Sequence, residues 1–246
     1  MTGPFPGGRR AAVSLTYDDC LACHRLAVAP ALSARDMLGT FYCTANAGDL
    51  HDNVESWRAV AESGHEIGNH TCFHPCRRQE GRDWPDRAYD LNTYSRKRIV
   101  DEVHLADRVL RLVDGCERRS YAATCGQTSV GPLGAEESFV DDLRRFATVV
   151  RSGRGGIQPL RRPDFVLGSH GADGKDAATT IAAIEPLLDA GGWLLITMHG
   201  VGKGTHGLFV DEAEHTAILD WIAERSDRIW AGTVSGVAER LAALPA

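Results

Sequence analysis

Short apolar runs suited to buried strands alternate with amphipathic helical runs along the whole chain, and this alternation limits the fold more than any other feature. Ala11–Tyr17 reads as a strand running into an acidic turn, and Ala22–Ala34 as an Ala/Leu-rich helix. Gly39–Thr44 is a second strand; Ser56–Ser63 is a helix with Trp57, Val60 and Ala61 at i, i+3 and i+4, stopped by Gly64. His65–Asn69 is a short strand delivering a His-rich turn, Arg77–Ala88 a loop, and Ser95–Val113 a strongly amphipathic helix. Ser120–Ala123 and Phe146–Val150 are strand candidates, and Ser152–Arg162 is a Gly/Arg/Pro loop. Ala177–Ala190 is helical with a break expected at Pro186. Gly192–Met198, Glu212–Ser226, Ile229–Gly232 and Ser235–Ala243 complete the series as strand, helix, strand and helix. Such an order predicts an α/β fold with a mainly parallel sheet, and 246 residues favour one closed barrel over an open sheet.

Charge and composition exclude several classes of function. A formal net charge of −6 and a pI near 5.9 argue against nucleic acid as a dedicated partner. No apolar run reaches the ~18 residues of a membrane span. The segment from Met1 to Arg10 has no apolar core of a secretory signal, which leads to the expectation of a cytoplasmic protein. Seven cysteines, an odd number without an export signal, predict reduced thiols rather than a disulfide framework. Cys20-Leu21-Ala22-Cys23-His24 matches the C-x-x-C-H pattern of haem attachment, but that chemistry belongs to exported proteins, and two thiols near an active-site rim are the plainer reading.

Polar residues fall where strands end. Asp18 and Asp19 close the first strand, where two adjacent carboxylates are costly unless cations or donors compensate them. Neighbouring residues point in different directions, so one can ligate a metal while the other faces a substrate. His70 and His74 have the i, i+4 spacing that aims two imidazoles at one ion, although Pro75 disfavours helical geometry at His74. With a carboxylate from another strand end, the set becomes two His and one Asp around an open metal position. His199 follows the most apolar strand and is placed to give a proton to a leaving amine.

These residues lie in motifs that resemble the NodB-type polysaccharide deacetylases. VSLTYDDC resembles that family's T-F-D-D-G motif, and ESGHEIGNHTCFHP is similar to its G-H-E-I-G-N-H-[ST]-x-x-H motif. GTFYCTAN looks like the second strand of the same fold, and ITMHG like its last motif. The resemblance runs from about Ala11 to Leu241 and implies one catalytic domain over 1–246, folded as a distorted, incomplete (β/α) barrel. It further implies Asp19, His70 and His74 as ligands of one divalent metal, zinc or else cobalt, manganese, nickel or iron. Asp18 would be the general base and His199 the general acid.

The departures are specific. The family's R-x-P-[YF]-G motif aligns with Tyr121–Gly126, which puts Ala122 where the Arg that orients the catalytic Asp would stand. Cys125 and Gly126 take the position of the oxyanion-binding turn, where a backbone N–H serves whatever the side chain. Arg151, Arg154, Arg161 and Arg162 are all available as substitutes, with no sequence reason to choose among them. The candidate for the fourth motif, an Asp beside a pocket aromatic, is Asp164-Phe165, and Cys20 replaces the Gly after the paired acids. His170, His206 and Trp84 are further candidates for the cleft. The expected activity is hydrolysis of a non-peptide amide, most simply removal of acetyl from an N-acetylated sugar or related small molecule. Cyclic amides or imides are the alternative substrates, and a non-catalytic metal- or ligand-binding module is the contrasting reading.

Overall fold

The computed structural model describes residues 3–244, so the expected domain span of 1–246 extends two residues beyond it at each end. Eight strands carry the fold: β1 Ala11–Asp18, β2 Gly39–Cys43, β3 Glu66–Asn69, β4 Arg119–Ala122, β5 Ala147–Arg154, β6 Val166–Gly171, β7 Gly192–Met198 and β8 Ile229–Ala231. β1 to β7 pair in sequence order, all parallel, and β7 returns to pair with β1 from Ala11↔Gly192 to Tyr17↔Met198. The seven strands thereby close into a barrel. β8 adds to the first half of β1 (Ala11↔Ile229 to Val13↔Ala231), whereas β2 pairs only with its second half from Leu15 onward. That division of one strand edge between two partners is the distortion expected of an incomplete (β/α) barrel.

Burial explains why the two most apolar strands sit together. Every residue of β1 and β7 is buried, as required of parallel strands covered on both faces. Helices supply the cover. Arg96–Asp114 (α1) starts at Ser95, whose side chain accepts from the Arg98 N–H, and stops at Gly115, φ 70°. It buries Ile99, Val103, Ala106, Leu110 and Val113. Ala177–Ile184 (α2) is capped by Asp176 and ends before Pro186, after which Leu187–Ala190 forms a separate turn, so the break expected at the proline is present.

Two expectations need correction, and one strand lies where the sequence predicts none. Ala22–Ala34 is a π-helical turn, His24–Val28, running into a short α-helix, Ala29–Ser33, rather than one helix. Ser152–Arg162 is not wholly a loop: β5 continues past Val150 to Arg154, which places Arg151 inside the barrel wall. β6 was not legible, because VLGSHG carries two glycines and little apolar bulk. Gly168 is required there, since a Cβ would come within 2.5 Å of the Gly155 Cα.

Arg119, at the start of β4, is 1% exposed and holds the α1–β4 connection to the sheet. Its guanidinium donates to Asp107 (2.9 Å), to both Asp114 oxygens (2.7 and 3.0 Å), and to the carbonyls of Ile67 and Cys116. Truncation would leave two mostly buried carboxylates without a cation. Arg119→Ala should therefore lower unfolding stability in urea by about 3–5 kcal/mol; a loss below ~1 kcal/mol would show that water reaches the pair.

Candidate active site

The carboxyl ends of β1, β3, β5, β6 and β7 open on one cleft of about 1200 Å³. Asp18 is the last residue of β1 and 4% exposed; Asp19 and Cys20 then turn sharply with φ of 78° and 54°. Among the described residues, all non-Gly positions with positive φ except Asp36 lie in the turns that form this site: Asp19, Cys20, Thr71, His74 and Cys125. Such backbone strain persists only where surrounding contacts fix it, and here it aims the polar groups.

β3 delivers the histidines. Asn69 Oδ1 accepts from the Thr71 N–H and Thr71 Oγ1 from the His74 N–H, which winds the turn without helical geometry. His70 Nδ1 is bonded to the Ala122 carbonyl at 2.9 Å, which requires the proton there and leaves Nε2 as a free lone pair. His70 Nε2 and His74 Nε2 lie 3.6 and 3.5 Å from Asp19 Oδ1, and the three ligand atoms fall within 4.8 Å of one another. A tetrahedral ion with bonds of ~2.1 Å spaces its ligands by ~3.4 Å, so Asp19, His70 and His74 fit a divalent metal, with two N ligands and one O suited to zinc.

Asp18 has a different partner. Arg151 reaches both its oxygens, at 2.7 and 2.5 Å, and is held by Thr197 Oγ1 (2.7 Å), itself hydrogen-bonded to Ser169. Arg151 pairs in register with Ala122, so the guanidinium missing from β4 is supplied by the next strand at the same height. Of the four arginines open in the sequence, Arg151 fills the role. Burial opposes ionisation of Asp18, but the Arg151 guanidinium, joined by the His199 imidazolium, outweighs it and holds the carboxyl down to about 2.

His199 faces the pair from β7, its Nε2 4.0 Å from Asp18 Oδ2 and from Asp19 Oδ2. Asp173 fixes it twice, accepting from the His199 N–H (2.9 Å) and lying 2.7 Å from Nδ1. Burial disfavours the imidazolium, yet the Asp173 hydrogen bond and the nearby carboxylates raise it to about 8. Asp173 was missed in the sequence, where only its place in Gly171-Ala172-Asp173-Gly174, after an unrecognised strand, could have marked it. Asp164, the expected fourth-motif acid, is instead exposed and paired with Arg161 at 3.2 Å. His206 stacks on His199 with rings 5.3 Å apart and 8° from parallel, and His170 and Trp84 also line the cleft.

Cys125 and Gly126 line the cleft as expected, but the Gly126 N–H is committed to the Ala123 carbonyl at 2.9 Å. Cys125 carries a second correction: it is bridged to Cys76. Cys20, Cys23, Cys43, Cys72 and Cys116 are free. An odd count excludes complete pairing, not one bridge between residues that the fold brings together across 49 positions. The bridge ties the segment after His74 to the turn after β4.

Comparisons with known proteins bear on this geometry. Residues 7–136 match the family model described as polysaccharide deacetylase. A Mycobacterium smegmatis protein described as a polysaccharide deacetylase superposes with a TM-score of 0.64 at 17% identity, covering 98% of this chain and 93% of that one. A peptidoglycan deacetylase from Bacillus subtilis gives 0.59 at 14% identity, with 96% and 93% covered. A CE4 family pseudoenzyme from Bacillus anthracis gives 0.58 at 13%, with 94% and 66% covered. Likeness at these identities shows the fold. No curated protein matches the sequence.

The donor set makes a direct prediction. Elemental analysis of the purified protein should find about one equivalent of zinc or another divalent metal, lost in both Asp19→Ala and His70→Ala. Retention of full metal in either variant would remove that residue from the ligand set.

Proposed function

Because the chain belongs to the polysaccharide deacetylase family, we propose that it is a metal-dependent hydrolase removing an acyl group, acetyl first, from the nitrogen of a sugar or related small molecule, within a single catalytic domain. The observation that carries this reading is the arrangement across one cleft: Asp18 paired with the Arg151 guanidinium, His199 paired with Asp173 at 2.7 Å, and the Asp19, His70 and His74 ligand atoms between them.

At neutral pH the carboxylate of Asp18 accepts the proton of the attacking water, and the imidazolium of His199 donates one to the departing nitrogen. Water adds to the acyl carbon, the C–N bond breaks, and amine and carboxylate leave. Arg151 keeps Asp18 charged and, with Thr197, keeps its carboxylate aimed. The Cys125 N–H serves the oxygen that gains charge, a role for which Gly126 is less suited because its own N–H is occupied. The metal implied by Asp19, His70 and His74 supplies Lewis acidity to the acyl oxygen and lowers the pKa of water when bound. His24 steadies His199 from behind: Nδ1 accepts from the Leu21 N–H, so Nε2 donates to the His199 carbonyl.

Convergence of both acids, both histidines, His199 and its Asp173 supports a catalytic site over a binding module, which has no use for an ionised base opposite a protonated acid. In metal-loaded protein, Asp18→Asn should lower kcat for acetate release from an N-acetylated chito-oligosaccharide by roughly 10²–10⁴-fold. Unchanged turnover would remove Asp18 as base. Arg151→Ala should also lose most activity, and Arg151→Ala with Ala122→Arg should recover part of it by returning the guanidinium to β4 at the same register. A double variant as inactive as Arg151→Ala, though folded and metal-loaded, would show that β4 cannot host the ion pair.

A further inference from the structure

The cleft is more basic than the chain that forms it. The protein carries a formal net charge of −6. Every carboxylate lining the cleft is nonetheless engaged: Asp18 by Arg151, Asp173 by His199, and Asp19 between the two ligand histidines. Besides Arg151, three cationic side chains line the same space, Arg82, Arg154 and Lys175, and among the described residues none of these three is within ion-pair distance of a carboxylate. They come from separate parts of the chain: the loop after His74, the end of β5, and the turn after β6.

Their surroundings favour a guest rather than an internal partner. Lys175 Nζ lies 3.2 Å from His170 Nε2, where it donates one hydrogen bond and keeps two N–H groups for another acceptor. His170 is held below its usual pKa by burial and then by Lys175, so it is a neutral acceptor that places the ammonium without cancelling its charge. Arg154 is exposed and Arg82 half-buried. Trp84, 65% exposed and 6.1 Å from the His74 ring, offers an apolar face beside the ligand histidines. Like charges gathered in one cleft repel one another unless an anion joins them, and a cleft lined by one sign concentrates ligands of the other.

We propose that Arg82, Arg154 and Lys175 form a subsite for the anionic group, carboxylate or phosphate, of an N-acylated sugar whose amide lies over Asp18 and Asp19. The proposal rests on the hydrolase reading above and adds the substrate class. The sugar ring would rest on Trp84, with the acyl nitrogen turned to His199. A neutral glycan would leave three cations without an acceptor.

The test compares three probes on metal-loaded protein: N-acetylglucosamine, N-acetylglucosamine 1-phosphate and N-acetylmuramic acid, which carry no charge, a phosphate and a carboxylate. For wild type, kcat/KM should be higher for at least one anionic probe, and the advantage should shrink as salt is raised. In Arg82→Gln/Arg154→Gln/Lys175→Gln, with metal content intact, the ratio of anionic to neutral kcat/KM should fall by roughly tenfold, carried by KM, given modest gains per partly exposed ion pair. The phosphate and carboxylate arms identify which anion is taken. An equal ratio in wild type and triple variant, or a preference for the neutral sugar, overturns the subsite and leaves the hydrolase reading standing. If no probe is hydrolysed, the chito-oligosaccharide assay judges the hydrolase reading, and calorimetric binding of the same probes to Asp18→Asn, with and without the three substitutions, decides the subsite. Tighter binding of an anionic probe that the substitutions abolish supports it; equal binding of charged and neutral sugars overturns it.

Discussion

Two carboxylates side by side at the end of a fully buried strand tolerate each other only if a separate positive group stands against each. Asp18 and Asp19 meet that condition in opposite directions: Asp18 faces the Arg151 guanidinium, and Asp19 faces the divalent cation it would hold with the two imidazoles that follow β3. Much of the local architecture serves this division. The left-handed backbone at Asp19 and Cys20 turns the second acid away from the first. β5 has to extend as far as Arg151, and Thr197 and Ser169 from β7 and β6 hold the guanidinium against its carboxylate. A buried ion pair of this kind adds little to stability by itself, but losing one partner is severe, so it fixes geometry more than it strengthens the fold.

What could be read from the sequence was whatever is local. β1 and β7 announce themselves as continuous apolar runs because both faces of each are covered, and the ligand histidines sit in one five-residue turn. Asp18 ends a strand, Asp19, His70 and His199 each follow one directly, His74 lies in the turn beyond, and the fold brings all five to one cleft. What stayed hidden depends on alignment between distant segments. Arg151 stood among several equivalent arginines until the β4–β5 register placed it opposite Ala122. Asp173 followed a strand whose glycines hide it, and the Cys76–Cys125 bridge joins loops that only the barrel brings together. Asp164 looked suitable because it precedes an aromatic residue, but a side chain's chemistry is decided by what it faces, and Asp164 faces Arg161.

A guanidinium that comes from β5, where the family resemblance led to β4, illustrates how loosely a site is tied to its motifs. Asp18 requires a guanidinium at a certain height and side, and neighbouring parallel strands in register offer equivalent positions. The same reasoning applies to the oxyanion turn, where a backbone donor makes the identity of residue 125 secondary.

The ion pair that holds Asp18 also spans 133 positions of sequence, and β1 gains its β7 neighbour only from residues 192–198. A chain leaving the ribosome therefore exposes a strand that is buried along its whole length in the folded protein, with an uncompensated acid at the tip, through most of its synthesis. Only when β8, at residues 229–231, has emerged are both flanks of β1 and the counter-ion of Asp18 available together. The N-terminal half, which holds both metal-ligand segments, is thus a dependent fragment during translation, and the last fifth of the chain decides when the barrel shuts.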